Sequence, residues 1–122
     1  MAGDNSEQVA EWNGPLGQRW AAEQAAFDNL TRPFGEVALK AAAARPGERV
    51  IDIGCGCGDT SLELGKAVGA SGSVLGVDVS GPMLDVARRR AKAEGAGNVA
   101  FEQADASNAP LFPGRDLLFS RF

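Results

Sequence analysis

A chain of 122 residues with 44% hydrophobic and 23% charged residues is enough for one small domain with a core, and its net charge of −4 argues against a general nucleic-acid surface. No apolar run approaches the ~20 residues that cross a bilayer, and the acidic start lacks the basic-then-apolar order of a secretion signal, so a cytoplasmic protein without membrane partners is expected. Histidine is absent and Cys55 and Cys57 stand two residues apart on a tight turn. That pattern argues against a disulfide, a metal site and any Ser-His-Asp or Cys-His mechanism, leaving small-side-chain packing as the expected role of both thiols.

Residues 1–13 are polar apart from Trp12 and are expected to fray, and Asn13-Gly14-Pro15 reads as a turn. Leu16, Trp20, Phe27 and Leu30 recur at helical spacing, which predicts a helix over 16–30. A second helix is expected to begin at Pro33, with Phe34, Val37, Ala38 and Ala41 as its apolar face and Arg45-Pro46-Gly47 as its stop. Residues 1–45 thus form an N-terminal helical segment. After Gly47 the period changes. Residues 49–53 read as a strand covered on both faces, and 60–68 as a helix packing through Leu62, Leu64, Ala67 and Val68. A strand follows over 73–79. Ser80 caps a helix over 81–94, with Met83, Leu84, Ala87 and Ala91 inward and Gly95 as its end. The basic run Arg88-Arg89-Arg90 with Lys92 falls at the end of that helix, where cations suit the dipole and stay solvated. Residues 99–103 read as a third strand, 108–114 as a loop and 116–120 as a fourth strand. Helices of ten or more residues between strands indicate an α/β fold with a parallel sheet and right-handed crossovers.

The chemistry gathers at Gly54, Gly56 and Gly58, between the first strand and its helix, where bare amides and a helix N-terminus can face a ligand. The spacing is G-x-G-x-G. The dinucleotide fingerprint wants G-x-G-x-x-G/A, and its third small position is here Asp59. The phosphate-loop pattern also fails, since Gly65-Lys66 is followed by Ala67. Asp52 stands two residues before the first glycine and suits a ligand with a cationic ammonium or sulfonium centre. Asp52 and Asp59 together disfavour a diphosphate, whereas a cofactor carboxylate can still use the turn amides. Asp78 ends the next strand, 20 residues after Gly58. The combination indicates a nucleoside-containing cofactor.

Residues 52–58 resemble the first motif of class I S-adenosylmethionine-dependent methyltransferases. Gly76-Val77-Asp78-Val79-Ser80, with Met83-Leu84 behind it, resembles the acidic second motif. Ala104-Asp105-Ala106 resembles the adenine-contact segment, and residues 116–122 the fourth strand. Within the family the chain is most similar to small-molecule methyltransferases of the ubiquinone/menaquinone-biosynthesis type, over roughly residues 46–122. Trp12-Asn13-Gly14-Pro15 and the helices after it are similar to a substrate-covering N-terminal segment. The resemblance implies a Rossmann-like sheet in the order 3-2-1-4 and S-adenosylmethionine as cofactor. It also implies roles. Gly54 and Gly56, with Cys55 between them, admit the methionine moiety, and Asp52 orients its amino end. Asp78 accepts both ribose hydroxyls, and Val79 and Met83 pack on the adenine. Asp105 accepts from the adenine amino group, with the Ala106 amide on a ring nitrogen, and Ser120 lies near the methyl group.

The family's sheet has seven strands and this chain stops after four. The fourth strand is therefore expected to present an open apolar edge, through which copies of the chain could associate. Methyl transfer to an already nucleophilic small-molecule acceptor needs no base, and no catalytic residue is assigned. Two other readings stand beside this one: a nicotinamide-dependent oxidoreductase, and a non-catalytic module that pairs through the open edge.

Overall fold

In the computed structural model, which describes residues 6–105 and 115–120, strand β1 (Arg49–Ile53) lies at the centre of a parallel sheet. It pairs on one side with β2 (Ser73–Asp78) and on the other with β4 (Leu117–Ser120), and β3 (Val99–Gln103) extends the sheet beyond β2. The order is β3-β2-β1-β4, as expected. Three helices precede the sheet: α1 (Ser6–Asn13), α2 (Pro15–Ala22) and α3 (Gln24–Ala42). Helices α4 (Asp59–Val68) and α5 (Gly81–Glu94) make the crossovers. The loop expected over 108–114 and Ala106 lie outside the described residues.

Local signals account for the βαβ core. Gly58, at φ +88°, turns the chain into α4, and the carbonyl of Gly58 accepts the first helical bond from the Leu62 amide at 2.9 Å. Ser80 caps α5 by accepting from the Met83 amide, and Gly95 closes the helix in the left-handed region at φ +67°. One face of the sheet, carrying Val50, Val74 and Phe119, packs on Leu64 and Val68 of α4. Ala38, Leu39 and Ala42 of α3 border the same cluster. Burying side chains of this size contributes about 1.5–3 kcal/mol each. Ala67, expected to pack, is exposed, and the inward positions of α4 are Leu62, Leu64, Gly65 and Val68.

The N-terminal segment departs from expectation. Residues 6–13, expected to lack regular structure, form a helix. The first break falls at Gly14 with Pro15 at the helix start, and a second at Glu23. Pro33 lies inside α3 instead of opening a helix. Of the apolar positions chosen by periodicity, Leu30, Phe34 and Val37 are turned outward, between 64% and 72% exposed, while Ala38 borders the core. The buried positions of that stretch are Asp28, Thr31 and Gly35. Asp28 faces inward there because it meets an arginine described below. A stretch whose inward residues are Asp28, Thr31 and Gly35 carries no apolar signature for periodicity to find.

Candidate functional site

The site forms where the carboxyl ends of β1 and β2 meet the turn at residues 54–58. Gly54, Gly56 and Gly58 have φ values of +70°, +55° and +88°, a region that side chains other than glycine rarely enter. The Gly54 and Cys55 amides both donate to the Val77 carbonyl, at 2.8 and 3.1 Å, which fastens the turn to the end of β2. A Cβ on Gly54 would meet nothing within 4 Å, so backbone is open to approach there. A Cβ on Gly56 would stand 2.8 Å from Met83 Cε, and one on Gly58 3.0 Å from Ala87 Cβ. The latter two glycines therefore let α5 close against the turn.

Asp78 joins the two motifs. The Gly56 amide donates to its Oδ2 at 2.8 Å and the Ser80 amide to its Oδ1 at 2.9 Å. The half-buried carboxylate keeps lone pairs for further donors. Val79 follows it, partly exposed.

Asp52 is placed otherwise than expected. It is 1% exposed, and its Oδ2 accepts from Thr60 Oγ1 at 2.8 Å and Ser61 Oγ at 2.7 Å. Its carboxylate braces the first turn of α4 from beneath instead of lining the crevice. Register decides this, because Asp52 shares the Val50 face of β1, which packs on α4. Met83 is likewise core, 7% exposed among Cys57, Val86, Trp12 and Trp20. Cys55 is 2% exposed, and burial, reinforced by the charges of Asp52 and Asp78, pushes its thiol far above the ordinary range. Cys55 and Cys57 are both free thiols. Asp105 is partly buried just after β3, and the neighbouring Ala104 amide donates to the Asp78 carbonyl at 3.0 Å. Ser120 is exposed at the end of β4, opposite Ile53. The structure thus brings Gly54, Cys55, Gly56, Asp78, Val79 and Asp105 to one end of the sheet, with Ser120 two strands away from Asp78 across β1.

Two side chains to which the sequence assigned other roles tie the N-terminal helices to the site. Arg90, expected to be solvated, has a side chain only 22% exposed. Its Nη1 donates to the Cys57 carbonyl at 2.9 Å and pairs with Asp28 at 3.1 Å, while Nη2 lies 3.6 Å from Asp59. Arg88, by contrast, is half exposed beside Asp85. Asn13, expected only in a turn, donates to the Val79 carbonyl at 2.7 Å and accepts from the Gly81 amide at 2.9 Å. Neither role leaves a local signal, since these partners lie 31 to 68 residues away. Between α2, α3 and the glycine turn remains a pocket of about 20 Å³ touched by Trp20, Asp28, Cys55 and Asp59, room for about one water. Among the described residues no group of His, Cys, Asp or Glu could hold a metal ion, and no helix is long and apolar enough to cross a membrane.

Comparison with known proteins agrees with this geometry. Residues 50–122 match the model of a methyltransferase domain family. The ubiquinone/menaquinone biosynthesis C-methyltransferase UbiE of Azotobacter vinelandii is 44% identical over 83 residues, which are 67% of this chain and 33% of that protein. The 2-phytyl-1,4-naphthoquinone methyltransferase of Trichormus variabilis is 43% identical over 63 residues, 52% of this chain and 28% of that protein. This chain spans about a third of the length of such relatives. Among solved structures, a SAM-dependent methyltransferase from Aquifex aeolicus superposes with a TM-score of 0.62 at 24% identity, over 93% of this chain and 55% of that one, a likeness of fold. The chain belongs to the methyltransferase domain family, whose cofactor is S-adenosylmethionine.

Proposed function

We propose that this chain is the cofactor-binding part of an S-adenosylmethionine-dependent methyltransferase acting on a small molecule of quinone type. The observation that carries the reading is the bond between the Gly56 amide and Asp78. It sets a carboxylate able to take two hydroxyl donors against the glycine turn, whose amides at Gly54, Cys55 and Gly56 are engaged by Val77 and Asp78, at the carboxyl ends of two adjacent parallel strands. The residues fit the cofactor. The Gly54 backbone opens onto free space, which admits the amino-acid portion, and Asp78 would hold the ribose. Asp105 and Val79 stand on the adenine side. When bound, the cofactor supplies an activated methyl group on a sulfonium. The chain's own task is to hold, orient and shield.

The nicotinamide reading is not adopted, because residues 50–122 match a methyltransferase domain and the turn has glycines at 54, 56 and 58 with Asp59 at the third small position of the dinucleotide fingerprint. The quinone-type acceptor rests on the activities named for the two relatives. Titration calorimetry with S-adenosylhomocysteine tests the reading, and saturable binding is expected. No heat at millimolar ligand overturns it. Transfer of labelled methyl from S-adenosylmethionine to 2-phytyl-1,4-naphthoquinone tests the acceptor separately.

A further inference from the structure

We propose that Asn13 is a positioning residue for the cofactor: its carboxamide grips the peptide groups on both sides of Ser80 and so holds the Asp78 loop in its binding shape. The inference rests on the cofactor reading above and adds a residue outside both glycine and acidic motifs. Asn13 Nδ2 donates to the Val79 carbonyl at 2.7 Å, and also to Val9 within α1 at 2.8 Å. Its Oδ1 accepts from the Gly81 amide at 2.9 Å and from Gln103 Nε2 at 3.0 Å. Gln103 in turn donates to the Val79 carbonyl at 3.0 Å. One primary amide, with two donors and two acceptor lone pairs, has its full capacity engaged here.

The grip transmits to the site through a short chain of bonds. The Ser80 amide belongs to the same peptide group as the held Val79 carbonyl and donates to Asp78 Oδ1, and Asp78 Oδ2 accepts from the Gly56 amide. A shift of residues 79–81 therefore moves the carboxylate and the turn amide together. A second contact seats the same corner independently. Ser80 Oγ donates to the Trp12 carbonyl at 2.6 Å, and a Cβ on Gly17 would stand 1.7 Å from that carbonyl oxygen and 2.7 Å from Ser80 Oγ. The start of α2 lies so close to this corner that only glycine fits. Docking of α1 and α2 and the shape of the adenosine loop are thus one event, and binding at the loop is coupled to order in the N-terminal helices.

The test compares wild type with Asn13→Ala and Asn13→Asp, the latter keeping an acceptor for the Gly81 amide but no donor for Val79. Calorimetry with S-adenosylhomocysteine and with adenosine gives the affinities. Hydrogen exchange at the Gly81 amide, without ligand, reports the grip itself. Val68→Ala, in the core away from the loop, serves as a destabilised control. Asn13→Ala is expected to expose the Gly81 amide and to weaken both compounds by about the same factor, roughly tenfold. Asn13→Asp is expected to keep the Gly81 amide protected and lose less affinity, and Val68→Ala to leave both affinities unchanged. A folded Asn13→Ala protein that binds both compounds normally overturns the inference, as does a loss confined to S-adenosylhomocysteine. Failure of the wild type to bind either compound overturns the cofactor reading instead, and this inference with it.

Discussion

Arg90 reaches from α5 to carboxylates on two other elements, and its replacement by methionine removes the cation while keeping much of the stem. Asp28, 7% exposed, and Asp59 would then face the Cys57 carbonyl with no positive charge between them. Removing one partner of a buried pair costs about 3–5 kcal/mol. The residual exposure of Arg90 (22%) and the bond from Gln24 Nε2 to Asp28 (2.6 Å) put Arg90→Met at the lower end. A loss of about 3 kcal/mol lowers the melting temperature of a domain this size by roughly 10–15 °C. Urea unfolding followed by far-ultraviolet circular dichroism reads the loss as a shift of midpoint at constant slope. Adding Asp28→Asn to Arg90→Met should recover part of the stability, with a coupling above about 1 kcal/mol in the double-mutant cycle. A loss below about 1 kcal/mol in the single variant refutes the reasoning, because it would mean that water already compensates both carboxylates.

Asp78→Ala is expected to lose charge-assisted bonds of about 1.5–3 kcal/mol, a ten- to hundredfold drop in S-adenosylhomocysteine affinity by calorimetry; unchanged affinity in a folded variant excludes the role. Gly76→Ala would set a Cβ 2.7 Å from the Phe101 ring and 2.8 Å from Ser61 Oγ; urea unfolding should show a loss of about 1–3 kcal/mol from overpacking. Cys55 should resist thiol reagents at pH 8 in the folded protein and react once urea is added. Its pKa is raised on folding, so the unfolded chain releases this proton first. Stability is therefore unaffected by Cys55 below the unfolded value of about 8.5 and falls as pH rises beyond it, by about 1.4 kcal/mol per unit. Cys55→Ala should flatten that alkaline slope in unfolding measured between pH 8 and 10.

The strands and crossover helices are legible in the sequence because each is bounded by residues whose conformational needs are local. Gly58 and Gly95 adopt positive φ, Ser80 caps α5, and the apolar run of β1 sits between covered faces. The turn and Asp78 are legible for the same reason, since spacing alone brings an acid at the end of β2 beside glycines at the end of β1. Asp52 was misplaced because its distance to the turn is visible in the sequence while its face is not. Pro33 misled because it is an exposed residue within α3, and the chain breaks at Glu23 with no Gly or Pro to announce it. Asn13 and Arg90 were unreadable because their partners are joined only by the finished fold.

The sheet order also sets the loop lengths that its pairings must close. Pairing β2 on β1 brings Arg49 opposite Ser73, whereas pairing β4 on β1 brings Val50 opposite Leu117 across a loop nearly three times longer. Closing the longer loop costs roughly 0.9 kcal/mol more chain entropy, and β4 is also the last of the four strands to be synthesised. The exposed Arg49–Asp116 pair, at 3.3 Å where β1 and β4 begin, together with the Arg49 amide bonded to Asp116 Oδ2 at 2.8 Å, fastens the start of the pairing that spans the longer loop.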